Sequence, residues 1–222
     1  MKKIITTFFS GLIFSTGLFA QGFHAGVNFQ YGSVWVVNQE HYGGSELEYK
    51  LKLGAQFGLS LGYNFSEHLG VQTNINLSHQ GQDYESSDSA GTYVRKLDLH
   101  YMNLPVLFKF VGGASNARFY TLLGPQFAFL SKADNSEPAY NGGAVQDYTE
   151  RFNKTDVQIF IGLGTEITLT DVLVLNAGLH LTYGFSDINA SGWQIKNHSG
   201  VYDASYNATG GINIGLHYLF GQ

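Results

Sequence analysis

Residues 49–65 read YKLKLGAQFGLSLGYNF, and every second side chain in this stretch is apolar or aromatic. The positions between them carry lysine, glycine, glutamine, serine or asparagine. A period of two predicts a β-strand with one apolar face and one small or polar face. A strand of this length is about three times as long as the usual strand of a globular protein. Length and pattern together favour a transmembrane barrel, with lipid outside and a polar lumen inside.

The same alternation recurs along the chain and predicts eight strands. The predicted strands are residues 23–37, 49–65, 69–78, 97–110, 118–130, 157–168, 173–186 and 208–220. Within 97–110 the apolar positions change phase beside Pro105, which predicts a β-bulge there because proline cannot donate to the ladder. Glycines recur on the polar faces, where the narrow lumen of an eight-stranded barrel has little room.

The connections between these strands alternate in length. Short turns fall at 66–68, 111–117 and 169–172, and long polar segments fall at 38–48, 79–96, 131–156 and 187–207. Outer-membrane barrels have short periplasmic turns and long extracellular loops. The sequence therefore predicts an all-β fold, an eight-stranded antiparallel up-and-down transmembrane β-barrel, with both termini on the periplasmic side.

The amino terminus predicts export. Lys2 and Lys3 precede an apolar stretch, and Ala20 ends an acceptable cleavage site, so we expect a signal peptide over residues 1–20 and a barrel domain over 21–222. The chain is 44% hydrophobic and only 13% charged, which is little charge for a soluble surface. Its net charge of −5 makes nucleic acid an unsuitable partner. The expected location is the outer membrane of a Gram-negative cell.

Aromatic side chains gather near the predicted strand ends and are expected to form two girdles at the membrane surfaces. The predicted periplasmic girdle is Phe23, Tyr63, Phe65, Phe108, Phe110, Phe119, Tyr218 and Phe220. The predicted outer girdle is Tyr31, Trp35, Tyr49, Tyr101, Phe129, Tyr183 and Phe185.

Four segments carry a family resemblance. They are YMNLPVLFKF at 101–110, LLGPQFAF at 122–129, DVQIFIGLGTEI at 156–167 and LHLTYGFSDI at 179–188. Together they resemble the PorT-like outer-membrane β-barrel family, also described as porin family proteins. The resemblance implies a small eight-stranded barrel. Some members assist type IX secretion, and the family offers no catalytic residues.

The last predicted strand resembles the signal read by the barrel assembly machinery. Asn213, Gly215, Tyr218 and Phe220 follow its spacing of polar, glycine and aromatic residues. We therefore expect this machinery as a partner during insertion, outer-membrane lipids as the surroundings, and a monomeric barrel. An exposed last strand could be captured by strand addition before closure.

Titratable residues are expected to project into the lumen at both ends. They are His24, Lys109, Glu166 and His217 near the periplasm, and Lys50, Lys52, Asp98 and His100 near the outer end. Because buried charges without partners are costly, these groups are expected to pair with one another. The histidines have no compact metal-binding spacing. No catalytic, cofactor-binding or metal-binding residue is predicted, and no cofactor.

Three classes of function remain open. The first is a non-enzymatic barrel without an open pore and with a structural, binding or secretion-accessory role, whose loops could hold an extracellular ligand or a secretion partner. The second is a lipid-remodelling enzyme with a lipid-facing Ser, His and carboxylate set, which the inward phase of the strand histidines disfavours. The third is a soluble lipocalin-like carrier, which would place the polar faces outside.

The predicted loops contain aromatic residues that could form a ligand-binding or adhesion surface or could be incidental in exposed connections. These residues are Tyr42, Tyr84, Tyr93, Tyr140, Tyr148, Phe152, Trp193, Tyr202 and Tyr206.

Overall fold

The computed structural model describes residues 22–37, 48–88, 91–113, 115–136, 144–194, 196 and 200–220. The predicted signal peptide lies outside these residues. The strands are β1 Phe23–Val37, β2 Glu48–Lys50, β3 Lys52–Asn64, β4 Leu69–Asp88, β5 Gly91–Gly112, β6 Ala117–Ser136, β7 Val145–Asp147, β8 Thr155–Thr168, β9 Leu173–Gly184 and β10 Tyr206–Leu219. Two short 3₁₀ helices span Thr149–Arg151 and Ser191–Trp193.

Eight long strands form a closed antiparallel ring in chain order, from β1 through β3, β4, β5, β6, β8 and β9 to β10. β10 pairs with β1, so that Ala25 lies opposite Tyr218. The short strands β2 and β7 add to β4 and β6. Closure gives every long strand a neighbour on both sides, which a chain surrounded by lipid requires. The predicted up-and-down barrel is confirmed.

The distribution of side chains is that of a barrel in lipid. Leu59 in β3 is 59% exposed, whereas the next residue, Ser60, is 3% exposed and faces the lumen. Most of the exposed wall is Phe, Leu and Ile, and Asn, Gln and His lie inside together with apolar residues such as Leu107, Leu122 and Phe160. A soluble carrier would bury the apolar face, so the lipocalin-like alternative is wrong. No helix in the described part of the chain is long and apolar enough to cross a membrane.

Close approach of strands explains a glycine pair. Gly32 in β1 lies opposite Gly211 in β10. A Cβ atom at Gly32 would overlap the backbone of Gly210 and Gly211. Larger residues at this level would force β1 and β10 apart. These are the first and last strands, and their pairing closes the barrel.

The predicted long loop at 79–96 is instead a paired hairpin. β4 runs ten residues beyond its predicted end, and its ladder with β5 continues to Asp88 opposite Gly91. The sequence prediction was wrong here because polar residues occupy both faces of the two strands. A hairpin that stands in water above the membrane is held by ladder hydrogen bonds and needs no apolar face.

The predicted bulge at Pro105 is also wrong. Odd-numbered residues of β5 face inward without interruption from Leu97 to Val111. The register shift lies in the pairing of β5 with β6, where His100 is opposite Lys132 and Tyr101 is opposite Leu130. Ser131 is therefore the additional residue, and the bulge belongs to β6. The apparent phase change in β5 arises because its inward residues are apolar near the outer end.

Candidate functional site

The outer end of the lumen contains an apolar cluster. Its buried members are Val36, Tyr84, Leu97, Leu99, Tyr101, Ala128, Leu130, Ala133, Phe152 and Ile188. Tyr101 is 2% exposed and faces inward, so its predicted place in the outer girdle is wrong. Tyr84, predicted as a loop residue, lies in β4 and is 2% exposed. We call this group the outer plug.

Two members of the outer plug come from extracellular connections. Phe152 follows the 3₁₀ helix Thr149–Arg151 and is 2% exposed, and Ile188 lies between β9 and β10 and is 0% exposed. Both pack against inward residues of the wall such as Leu99. Each connection therefore sends one apolar side chain into the barrel, where it fills the outer end of the lumen.

The two connections are bound to each other above the plug. Phe152 forms an isolated antiparallel bridge with Asn189. The backbone N–H of Asn153 donates to the carbonyl of Ile188 at 2.7 Å, and its side-chain amide donates to the carbonyl of Asp187 at 2.9 Å. The Asp187 carboxylate accepts hydrogen bonds from Tyr202 at 2.7 Å and from the backbone N–H of Ser205 at 3.1 Å.

An arginine between two aromatic rings forms the surface of this assembly. The Arg151 guanidinium lies 3.5 Å from the ring centroid of Tyr148 and 4.3 Å from that of Trp193. Trp193 is 42% exposed. Cation–π contacts of this kind stabilise the two connections against each other. We call residues 148–153 and 187–205, so far as they are described, the loop cap.

Below the plug, polar side chains form a connected network. Asn207 donates from its amide to the Tyr101 hydroxyl at 3.1 Å and to the Asp156 carboxylate at 3.0 Å. Gln158 donates to Asp156 at 2.7 Å and accepts from Gln126 at 2.7 Å. These side chains come from four strands, β5, β6, β8 and β10. Because β5 and β10 lie on opposite sides of the ring, this network crosses the lumen.

The periplasmic end contains the predicted titratable residues. Lys109 and Glu166 form a buried ion pair, and Arg118 lies 3.4 Å from the Glu166 carboxylate. The rings of His24 and His217 stack with their centroids 5.4 Å apart. The prediction that these inward groups pair with one another is confirmed for Lys109 and Glu166, whereas His24 and His217 contact each other by stacking. They line a cavity of about 440 Å³.

The predicted outer set of titratable residues is placed differently. Asp98 and His100 alternate with the buried Leu97 and Leu99, so they face outward, and the prediction that they enter the lumen is wrong. Lys50 is exposed and pairs with Glu85. The inward phase of Asp98 and His100 was inferred from the apolar Leu97, Leu99 and Tyr101, which were expected to face lipid but face the lumen.

Lys52 is the member of the outer set that is nearly buried. Its ammonium lies 2.7 Å from the Asp83 carboxylate and 2.9 Å from that of Asp98. This triad joins β3, β4 and β5 where the hairpin leaves the barrel. The outer ion pairs thus stabilise the base of the hairpin rather than the lumen.

His100 has outward-facing neighbours that the sequence did not reveal. Its ring lies edge-on to that of His79, with centroids 4.5 Å apart, and its Nε2 is 3.8 Å from the Asp134 carboxylate. The Ser131 hydroxyl donates to the backbone carbonyl of His100 at 2.9 Å. The pairing of β5 with β4 on one side and with β6 on the other brings these residues together. Because that hydroxyl donates to a carbonyl and not to an imidazole, the group is not an activated nucleophile.

Within the described ranges, no group of three or more histidine, aspartate or glutamate side chains could hold a metal ion.

The two aromatic girdles are otherwise located as predicted. At the periplasmic end, Phe108 is 62% and Phe23 is 61% exposed, and at the outer end Tyr31 is 51% exposed. Tyr63 contacts Phe23 and Phe65, with ring centroids 4.9 and 5.5 Å apart. These exposed rings are stabilised by the lipid headgroup region.

A closed eight-stranded ring with an exposed apolar wall, two aromatic girdles and a polar lumen defines a transmembrane β-barrel of the outer-membrane class. Residues 14–190 match the family described as outer membrane protein beta-barrel domain. The chain belongs to this family. It is an integral protein of the outer membrane.

Several solved barrels have similar folds. Neisserial surface protein A is 12% identical, with 90% of this chain and 97% of that chain covered and a TM-score of 0.51. OprG from Pseudomonas aeruginosa is 15% identical, with 93% and 99% covered and a TM-score of 0.48. Ail from Yersinia pestis is 17% identical, with 90% and 99% covered and a TM-score of 0.45. No curated protein matches in sequence.

Proposed function

We propose that this protein is a non-conducting, non-enzymatic outer-membrane barrel whose loop cap is a binding surface for an extracellular ligand. The observation that carries the proposal is the pair Phe152 and Ile188, which insert from the loop cap into the outer plug. A pore would need this end of the lumen open. Here the same insertion fixes the loops on a rigid scaffold, which suits recognition.

The exposed part of the loop cap supports a binding role. Trp193 stacks on Arg151, and Arg151 on Tyr148, so a large aromatic surface is held in one orientation. Aromatic side chains that are already ordered contribute contact area at a low cost in conformational entropy. The network around Asp187 holds the opposite side of the cap.

Planar-bilayer recording tests the absence of a pore. We expect no stable porin-sized conductance from the full-length protein, because the outer plug and the Asn207 network both cross the lumen. The matched variant Phe152→Ala removes one plug residue and leaves the polar network in place. Large, reproducible conductance from the wild-type protein would refute the proposal.

The binding role is tested on an array of defined glycans and peptides. Full-length protein in labelled nanodiscs is compared with Trp193→Ala, and Trp35→Ala on the lipid-facing wall is the matched control. We expect specific spots that are lost with Trp193→Ala and kept with Trp35→Ala. A uniform absence of binding would leave only a structural role in the membrane.

A secretion-accessory role is a second candidate, and the four segments that resemble PorT-like barrels support it. To test it, the gene is deleted and the strain is complemented with the wild-type chain or with Trp193→Ala, and the secretion of type IX substrates is measured.

We also propose a monomer that is inserted by the barrel assembly machinery and surrounded by outer-membrane lipids. Sedimentation in detergent tests the monomer.

A further inference from the structure

The outer wall of the barrel has an abrupt boundary on three neighbouring strands. Outward residues of β4 up to Leu77 are apolar except Thr73, whose hydroxyl donates to the Pro105 carbonyl, and they are followed by His79. In β5 the corresponding step is from Met102 to His100, and in β6 it is from Phe129 to Ser131. The register aligns these steps, since His79 lies opposite His100 and His100 opposite Lys132.

This boundary marks the outer surface of the membrane. Outward residues of β4 from Leu69 to Leu77 cover nine residues, which is the span of a tilted transmembrane strand, about 9–11 residues. Leu69 lies at a short turn, and the strand continues beyond Leu77 into the long hairpin. The step therefore lies at the level of the headgroups of the outer leaflet.

A hollow of about 400 Å³ lies at this step. Its apolar side is lined by Phe29, Phe57 and Leu77, with the small Ala55 between them. All three large residues are exposed, at 47%, 55% and 65%. The methyl group of Ala55 leaves space that a larger outward residue would fill. The apolar side is thus shaped to accept a hydrocarbon chain from the bilayer.

The polar side of the hollow includes the outward residues His79, His100 and Ser131, and the inward residues Gln56, Ser78 and Tyr101 also line it. The Ser131 proton is donated to a carbonyl, which leaves the two imidazoles as the donors. Lys132 follows directly and is 55% exposed at its side chain. The two nearest carboxylates, Asp98 and Asp134, are each paired with a lysine at 2.9 and 2.8 Å. Imidazole and ammonium N–H groups beside paired carboxylates suit a phosphate.

We propose that this hollow binds one phosphorylated glycolipid of the outer leaflet, with an acyl chain along Phe29, Phe57 and Leu77 and a phosphate at His79 and His100. The site lies on the lipid-facing wall and is separate from the loop cap. The lipid binds beside the base of the hairpin, where the Lys52 triad joins β3, β4 and β5.

Native mass spectrometry of the full-length protein in detergent tests the site. The probe is bis-phosphorylated lipid A, compared with the same lipid A after removal of both phosphates and with phosphatidylglycerol. We expect one bound lipid A per barrel and affinities that are about tenfold lower for the other two lipids. Equal affinity for all three lipids would overturn the proposal.

Two variants address the two halves of the hollow. Ala55→Phe fills the apolar side, and the double variant His79→Ala with His100→Ala removes the donors. Each should weaken binding of lipid A about tenfold or more. The matched control is Ala25→Phe, which places the same side chain outward at the periplasmic end of β1. The mobility shift of unboiled samples confirms that each variant is folded.

The outcomes separate this site from the proposed function. Both hollow variants should lose binding of lipid A and should still bind the same array ligands as the wild-type protein, because both retain Trp193. This result supports the site whatever the loop cap recognises. Unchanged lipid A binding in the folded double variant refutes it.

Discussion

The two ends of the lumen are stabilised in opposite ways. At the periplasmic end, Lys109, Glu166 and Arg118 are held by charge pairing. At the outer end, apolar side chains such as Leu99 pack against Phe152 and Ile188 from the loops. The ion pairs come from the barrel wall alone, whereas the outer plug adds two side chains from the connections to those of the wall. Only the second way couples the barrel to the surface it presents outside.

The largest expected effect is at the periplasmic end. Glu166→Ala leaves the buried Lys109 ammonium without its partner, which should lower the free energy of unfolding by about 3–5 kcal/mol. Equilibrium urea unfolding in liposomes measures it. The double variant Lys109→Met with Glu166→Leu replaces both charges and should cost far less. If the double variant is as unstable as the single one, the unpaired charge is not the cause.

Truncation of a side chain in the outer plug should lower the stability of the barrel. Leu99→Ala creates a cavity beside Phe152 in a position that is 0% exposed, and should lower the free energy of unfolding by about 2–5 kcal/mol. Leu59→Ala, on the lipid-facing wall, is the matched control and should cost less because lipid fills the space. Equal losses at Leu99 and Leu59 would contradict a packed outer plug.

The boundary between the two ends can be tested by removing one hydroxyl. Tyr101→Phe removes the acceptor of the Asn207 amide and should cost about 0.5–1.5 kcal/mol in the same unfolding assay. Tyr183→Phe, which faces outward, is the control and should have a smaller effect. A larger loss of unfolding free energy for Tyr183→Phe than for Tyr101→Phe would show that the hydrogen bond from Asn207 to Tyr101 does not stabilise the barrel.

The smallest effect concerns a carboxylate near the loop cap. Hydrogen bonds from the Thr149 side chain and backbone hold the pKa of Asp147 below its usual range. The carboxylate form is favoured in the folded state, so its contribution to stability is present at neutral pH and is lost as pH falls through the lowered pKa.

Carbon-detected NMR titration of the full-length protein measures this pKa. Thr149→Val should raise the pKa of Asp147 toward its usual value, while Thr92→Val on the distant hairpin should leave it unchanged. An unaltered pKa in Thr149→Val would show that the side-chain hydrogen bond is not its cause.

The sequence by itself determined the strands and their two faces. Alternation in residues 49–65 and its repeats specified eight antiparallel strands, and the lengths of the connections specified which end is outside. The inward residues Lys109 and Glu166 could also be predicted, because each follows the unbroken phase of its strand. These properties are local, since a period of two records directly which side chains share a face.

Only the tertiary structure decided what each face contacts. The sequence pattern treated Leu97, Leu99 and Tyr101 as lipid-facing, because an apolar side chain that meets lipid and one that meets a plug look the same locally. Their true partners, Phe152 and Ile188, lie far along the chain and are brought in by loop contacts. The bulge at Ser131 likewise depends on the pairing of β5 with β6. The pairing of β4 with β5 sets His79 opposite His100 on the outer wall, where no periodicity within one strand could have placed them together.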